Sequence, residues 1–208
     1  IKVDCEDFNQ AIERVLAGLE IKNPSILLKE KKTVSIHEAG HALVSKILKT
    51  DMVQKISIVP RGQALGYVLK FPEEERYLLT EKELIGKITG LLAGRAAEQV
   101  IFNEITTGAK DDLTKATQIA QEMVCSYGMS TLGNISIDEY YIKNNYDIIR
   151  REMKKIIDKC FENALKIVED NKIILFHISD LLMKQETITS EELDKIFQEY
   201  KTDLDYAT

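Results

Sequence analysis

A chain of 208 residues, 44% hydrophobic and 30% charged, is long enough to bury one core under a polar surface. Its net charge of −6 gives no electrostatic reason to expect nucleic acid as a partner, and none to expect an anionic membrane face. No run of about 18 apolar residues occurs, and Ile1-Lys2-Val3-Asp4-Cys5 lacks the basic-then-apolar order of a signal peptide.

The first periodic segment is Asp7 to Leu19, where Phe8, Ile12, Val15, Leu16 and Leu19 recur at helical spacing before Asn23-Pro24. A domain boundary is expected between about residues 20 and 32, with Glu30-Lys31-Lys32 as linker or the start of the next element. A second helix is expected from Thr33 to about Thr50, carrying Val34, Ile36, Ala39, Ala42, Leu43, Ile47 and Leu48. The period then shortens. Lys55 to Val59 alternates as a strand, Pro60-Arg61-Gly62 turns, and Leu65 to Phe71 returns. Thr80-Glu81-Lys82-Glu83 reads as a capping box opening a helix towards Phe102. The small residues Gly90, Ala93, Gly94, Ala96 and Ala97 leave one part of that helix open to close approach by another. A further helix begins near Asp111-Asp112 and ends at Gly128, its acidic first turn matching the helix dipole. After a loop, residues 140 to 169 show the longest helical stripe, through Ile149, Met153, Ile156, Cys160, Ala164, Ile167 and Val168. Two shorter helices follow, Ile173 to Met183 and one opened by Thr189-Ser190-Glu191-Glu192. The expectation is a mainly α domain, a helical bundle with a small β ribbon. Cys5, Cys125 and Cys160 are far apart and odd in number, which reads as free thiols in a reducing compartment.

His37-Glu38-Ala39-Gly40-His41 carries the chemistry. Residues four apart on a helix lie nearly above one another, so both imidazoles leave the same face. Two such nitrogens can converge on one zinc ion, and Glu38 reaches a water beside the metal rather than the metal itself. Of only three histidines in the chain, two stand here with a glutamate between them. His177, alone in Leu175-Phe176-His177-Ile178, reads as structural. A catalytic zinc usually has three protein ligands, and no third histidine follows the motif. Glu98, Asp111 and Asp112 are therefore the candidates for a third ligand, and periodicity does not choose among them.

Several motifs in order resemble the FtsH-type AAA+ metalloproteases over nearly the whole chain. They are the helix around His37-Glu38-Ala39-Gly40-His41-Ala42, Ile56 to Gly62 with Ala64-Leu65-Gly66-Tyr67, Leu91 to Glu98, Thr106-Thr107-Gly108-Ala109-Lys110-Asp111-Asp112-Leu113, and Tyr127-Gly128-Met129-Ser130. Ala93 stands where many members have glycine and Asp111 where many have asparagine, and the segment from Ser130 to Tyr140 is shorter than usual.

The resemblance implies a zinc metallopeptidase domain with the β ribbon beside the metal. It implies His37, His41 and Asp112 as ligands of one Zn2+ and Glu38 as the catalytic base. Glu98 would orient a ligand histidine, with Glu98 and Asp111 as alternative ligands. Ala64, Leu65, Gly66 and Tyr67 are expected to hold the substrate strand. Residues 1–22 would be the end of an ATPase lid plus linker, and 23–208 the peptidase domain. ATP and Mg2+ would belong to an ATPase domain outside this chain, which opens without Met and reads as a piece of a longer protein. Polypeptides are the expected substrates of a processive, ATP-dependent protease that acts on unfolded or membrane proteins. The parent is expected to be a homo-hexamer, with membrane contact only through segments absent here. Its peptidase domain would face a reducing compartment, the bacterial cytoplasm or an organellar equivalent. The competing readings are a catalytically silent hexamerisation module of the same architecture and an unrelated stand-alone zinc peptidase.

Overall fold

The computed structural model describes residues 11, 12, 14, 15, 18–21, 26–62, 64–71 and 77–205, with backbone alone at 139 and 201–205. Most of the expected lid helix over Asp7 to Leu19, and Cys5, lie outside the described residues.

Helix α1 (Leu28–Leu48) opens before the expected Thr33. Leu27 offers no capping side chain, but the Glu30 carboxylate accepts from its backbone N–H at 3.2 Å. Glu30-Lys31-Lys32 is thus a first helical turn rather than a linker, and α1 ends at Lys49 with a left-handed φ of 51°. Strands β1 (Met52–Ser57) and β2 (Tyr67–Phe71) pair antiparallel, Ile56 opposite Val68, with a bulge between Val53 and Lys55. Helix α2 (Glu81–Phe102) has the expected capping box: Thr80 N–H donates to Glu83 at 2.7 Å and Glu83 N–H to the Thr80 hydroxyl at 3.3 Å. A 3-10 turn (Thr107–Ala109) leads into α3 (Lys110–Cys125).

The long stripe after residue 140 is broken. Helix α4 (Glu139–Asn144) and α5 (Tyr146–Asp170) are separated at Asn145, where φ is −129° and ψ 28°. The Asn145 side-chain amide donates to Tyr141 O at 3.1 Å, the local competition with helical bonding that asparagine offers. Helix α6 (Lys172–Gln185) ends at Glu186 with φ 64°, and α7 (Ser190–Asp205) closes the described chain. Between them Thr187–Thr189 forms β3, Ile188 opposite Ile56, so the expected two-strand ribbon is a three-stranded sheet in the order β2-β1-β3. Three residues are too few to show a period, and only pairing with β1 makes them a strand.

Three clusters of buried side chains hold these elements among the described residues, the smallest of them Val124, Cys125, Ile137 and Ile149 between α3 and α5. Ile36, Leu43, Ile56, Leu175, Ile178, Leu182 and Ile188 join α1, β1, α6 and β3, while Ile88, Leu92, Ala116, Ala120, Met123 and Cys160 join α2, α3 and α5. Burial of such side chains stabilises by about 1.5–3 kcal/mol each relative to exposure. The fold is mainly α with a small sheet, as expected. Among the described residues no helix is long and apolar enough to cross a membrane. Cys125 and Cys160 are free and buried.

The expected close approach occurs between α1 and α2. A Cβ on Gly40 would lie 2.7 Å from Ala93 O and 2.7 Å from the Ala97 Cβ, so only glycine lets these backbones meet.

Candidate metal centre

Because α1 and α2 meet so closely, the His37–His41 face of α1 is walled by α2 and closed by the start of α3. His37, Glu38 and His41 are buried, at 8%, 8% and 6% exposure. The His37 Nδ1–H donates to the Glu98 carboxylate at 2.5 Å, and the His41 Nδ1–H donates to Gly90 O at 2.8 Å. A carboxylate and a carbonyl are acceptors only, so both imidazoles carry their proton on Nδ1 and direct the Nε2 lone pair inward. The two Nε2 atoms stand 3.1 Å apart, and Asp112 Oδ2 lies 3.4 Å from His37 Nε2 and 3.3 Å from His41 Nε2.

Bonds of about 2.0–2.1 Å around a tetrahedral ion place its donor atoms about 3.3–3.4 Å apart. The three donors here match that spacing, and their electron pairs face one another, an arrangement that a cation relieves. The residues therefore fit a divalent metal, and these three are the metal-capable group among the described residues.

Electrostatics point the same way. A proton competes for the same place: burial disfavours charge on His37, yet hydrogen bonding with Asp112 and Glu98 and the field of Glu38 raise its pKa to about 10, so near neutral pH a metal binds by displacing a proton from His37 Nε2. Burial likewise opposes ionisation of Asp112, but hydrogen bonding with the two rings when a proton occupies Nε2, and the positive charge it brings, hold the Asp112 carboxyl well below the ordinary range. The pocket holds negative charge that attracts a positive ion. Burial pushes the Glu38 carboxyl up, against the pull of both imidazoles.

The neighbouring carboxylates divide their work. Asp111 is 76% exposed and pairs with Lys115 at 2.7 Å, pointing away from the imidazoles. Glu98, 1% exposed, touches Nδ1 of His37 rather than Nε2. It also accepts from Thr106 N–H at 2.7 Å and the Thr106 hydroxyl at 3.2 Å. Although burial favours its neutral form, the bonds from His37 and Thr106 keep Glu98 below the usual carboxylate range. Thr106 caps the 3-10 turn that leads to Asp112, so one glutamate holds both a histidine and the segment bearing Asp112.

Gly66 lies directly against Glu38: a Cβ there would fall 2.9 Å from the Glu38 carboxylate and 2.8 Å from Val34. Ala64 and Leu65 are exposed, Gly66 and Tyr67 half-buried, and β2 is an edge of the sheet. Arg61 stacks on the Tyr67 ring at 6.0 Å and closes a turn with Ala64 through two 2.9 Å backbone bonds. His177 stands apart, its ring edge-on to Tyr200 at 5.9 Å. Three groups at the site were not singled out by the sequence: Thr106, the Gly90 carbonyl and Lys70. A backbone acceptor carries no sequence signal, whereas Thr106 stands in the Thr106-Thr107-Gly108-Ala109 motif. Burial pulls the Lys70 ammonium below its ordinary pKa, against the fields of Asp51, Glu38 and Asp112.

A sequence model described as Peptidase family M41 matches residues 25–196. The chain belongs to that family. It is 52% identical to the ATP-dependent zinc metalloprotease FtsH 2 of Thermoanaerobacter sp., over 97% of this chain and 39% of that protein. It is 41% identical to the ATP-dependent zinc metalloprotease FtsH of Thermotoga maritima, over 95% of this chain and 35% of that protein. It is 44% identical to the ATP-dependent zinc metalloprotease FtsH 4 of Synechocystis sp., over 90% and 33% respectively. The chain spans about a third of the length of these curated relatives. It is an FtsH-type M41 peptidase domain, as the sequence motifs implied.

Proposed function

We propose that this domain hydrolyses peptide bonds at a single Zn2+ held by His37, His41 and Asp112, with Glu38 as the base. The convergence of two Nε2 atoms and one carboxylate oxygen, with Glu38 next along the helix, carries this reading. Bound zinc supplies Lewis acidity, polarising a carbonyl and making a water acidic near neutral pH. Glu38 accepts the proton of the attacking water on its carboxylate and returns it to the amine that leaves. Glu98 and Gly90 O keep the imidazoles in the tautomer that points Nε2 inward. The backbone of Ala64, Leu65, Gly66 and Tyr67 receives an extended polypeptide by strand pairing. Gly66 against Glu38 brings such a strand close to the base, and main-chain pairing is tolerant of sequence.

In the parent protein, residues 1–22 form the end of an ATPase lid plus linker, and 23–208 the peptidase domain. The ATPase, with its ATP and Mg2+, delivers unfolded or membrane proteins to a homo-hexameric ring anchored in a membrane, the peptidase facing a reducing compartment. The names of the relatives support the ATP dependence and the zinc. A silent hexamerisation module has no chemical use for the buried set of His37, Glu38 and His41 together.

Glu38→Gln decides between these readings. The variant should keep the zinc of the wild-type chain, counted by elemental analysis, and lose about 10²–10⁴-fold of its hydrolysis of unfolded casein. Undiminished hydrolysis would remove Glu38 from the mechanism.

A further inference from the structure

Helix α2 comes nearest the two imidazoles at Gly94. A Cβ there would lie 2.4 Å from His37 Nε2, 2.5 Å from His37 Cδ2 and 2.6 Å from His41 Nε2. These separations are far inside van der Waals contact, and two of the three atoms are the inward-facing nitrogens. The rings cannot turn aside without breaking the bonds of His37 to Glu98 at 2.5 Å and of His41 to Gly90 O at 2.8 Å. Nothing in the backbone asks for glycine at this position: Gly94 lies within α2 and is not among the glycines with positive φ. Glycine inside a helix is otherwise destabilising relative to alanine. One turn earlier on α2 there is room for a side chain: a Cβ on Gly90 would come no closer than 3.6 Å to Ser45 Oγ.

We propose that Gly94 is a positioning residue of the metal centre, whose missing side chain keeps open the space shared by the two Nε2 atoms so that both bind one cation. The inference rests on the metal-centre reading above. An alanine methyl at 94 would stand in that space, or would splay the rings away from the geometry in which Asp112 meets them both. The glycine is kept at a cost in helix stability, and its benefit appears only at the site.

The 208-residue chain tests this with Gly94→Ala placed in two backgrounds, wild type and His37→Ala/His41→Ala. Zinc affinity is measured by chelator competition, and Tm is measured without metal. In the wild-type background the substitution should weaken zinc binding about a hundred-fold or more, the upper end of what losing an orienting partner costs. It should also lower the metal-free Tm. In the background without the two rings it should leave Tm unchanged or raise it, because only the helix preference for alanine remains. If Gly94→Ala alone fails to fold, folding of the triple variant supports the proposal equally, since removing the rings has removed the clash. Unchanged zinc affinity, an equal Tm loss in both backgrounds, or failure of the triple variant to fold would each overturn the role of Gly94. A wild-type chain that takes up no zinc would instead overturn the metal-centre reading, and the Tm comparison would still judge the packing at Gly94.

Discussion

Two buried glutamates clasp threonines at opposite ends of α3. Glu98 accepts from the backbone and hydroxyl of Thr106, before the helix, and Glu152 accepts from the hydroxyl of Thr131 at 2.6 Å and its N–H at 3.4 Å, after it. Both side chains are nearly inaccessible, at 1% and 7% exposure. The third partner separates them. Glu98 spends its remaining capacity on His37, and Glu152 on Lys155 at 2.5 Å. The same polar clasp thus touches the metal-capable group of His37, His41 and Asp112 at one end and is a loop anchor at the other. A buried carboxylate acquires a role in chemistry through what else it touches, not through its burial or its threonine.

The largest effect expected from this contrast lies between the clasps, at the residue that the first one delivers. Asp112→Ala should abolish stoichiometric zinc binding, while Asp111→Ala, removing an exposed partner of Lys115, should leave it intact. Elemental analysis of the two purified variants reads this directly, and equal loss in both would break the assignment.

Next comes Glu98→Gln, which keeps the shape but removes the charge facing His37. Zinc affinity by chelator competition should fall about 10–100-fold. Glu152→Gln should not change it, and a matching fall there would erase the distinction between the clasps.

The smallest effect is on acid stability. The Lys155 ammonium and the Thr131 hydroxyl hold the Glu152 carboxyl below its ordinary value. A depressed carboxyl contributes stability that is present above its unfolded pKa and lost as pH falls through the folded one. Tm followed from about pH 6 down to about pH 3 should therefore show the gap between wild type and Glu152→Gln narrowing towards acid. A gap that stays constant would mean that the Glu152 charge contributes nothing.

Much of this molecule was legible because helices announce themselves locally. Apolar runs locate α2, α3 and α6, a capping box at Thr189 locates α7, and the Thr80–Glu83 capping box marks the start of α2 to the residue. Other boundaries were hidden for equally local reasons. Leu27 has no capping oxygen, so the start of α1 carried no signature. Asn145 sits inside an apolar stripe that continues past it, so periodicity ran through the break. Thr187–Thr189 is too short to show a period and becomes a strand only on meeting β1, whereas the capping box of Thr189 with Glu192 opens α7 as its sequence implies.

The site divides along the same line. That His37 and His41 share a face with Glu38 between them follows from their spacing alone, because 3.6 residues per turn is a property of any α-helix. The sequence also marked a small-residue face on α2 where another helix could pass. Which carboxylate meets the imidazoles was decided only by tertiary structure. Asp111 and Asp112 are adjacent in a first turn and leave the helix in different directions, so the placement of α3 beside α1 determines which one faces inward. Contacts between residues 61 positions apart, such as His37 with Glu98, come from packing free energy spread over the whole core, which no local pattern encodes.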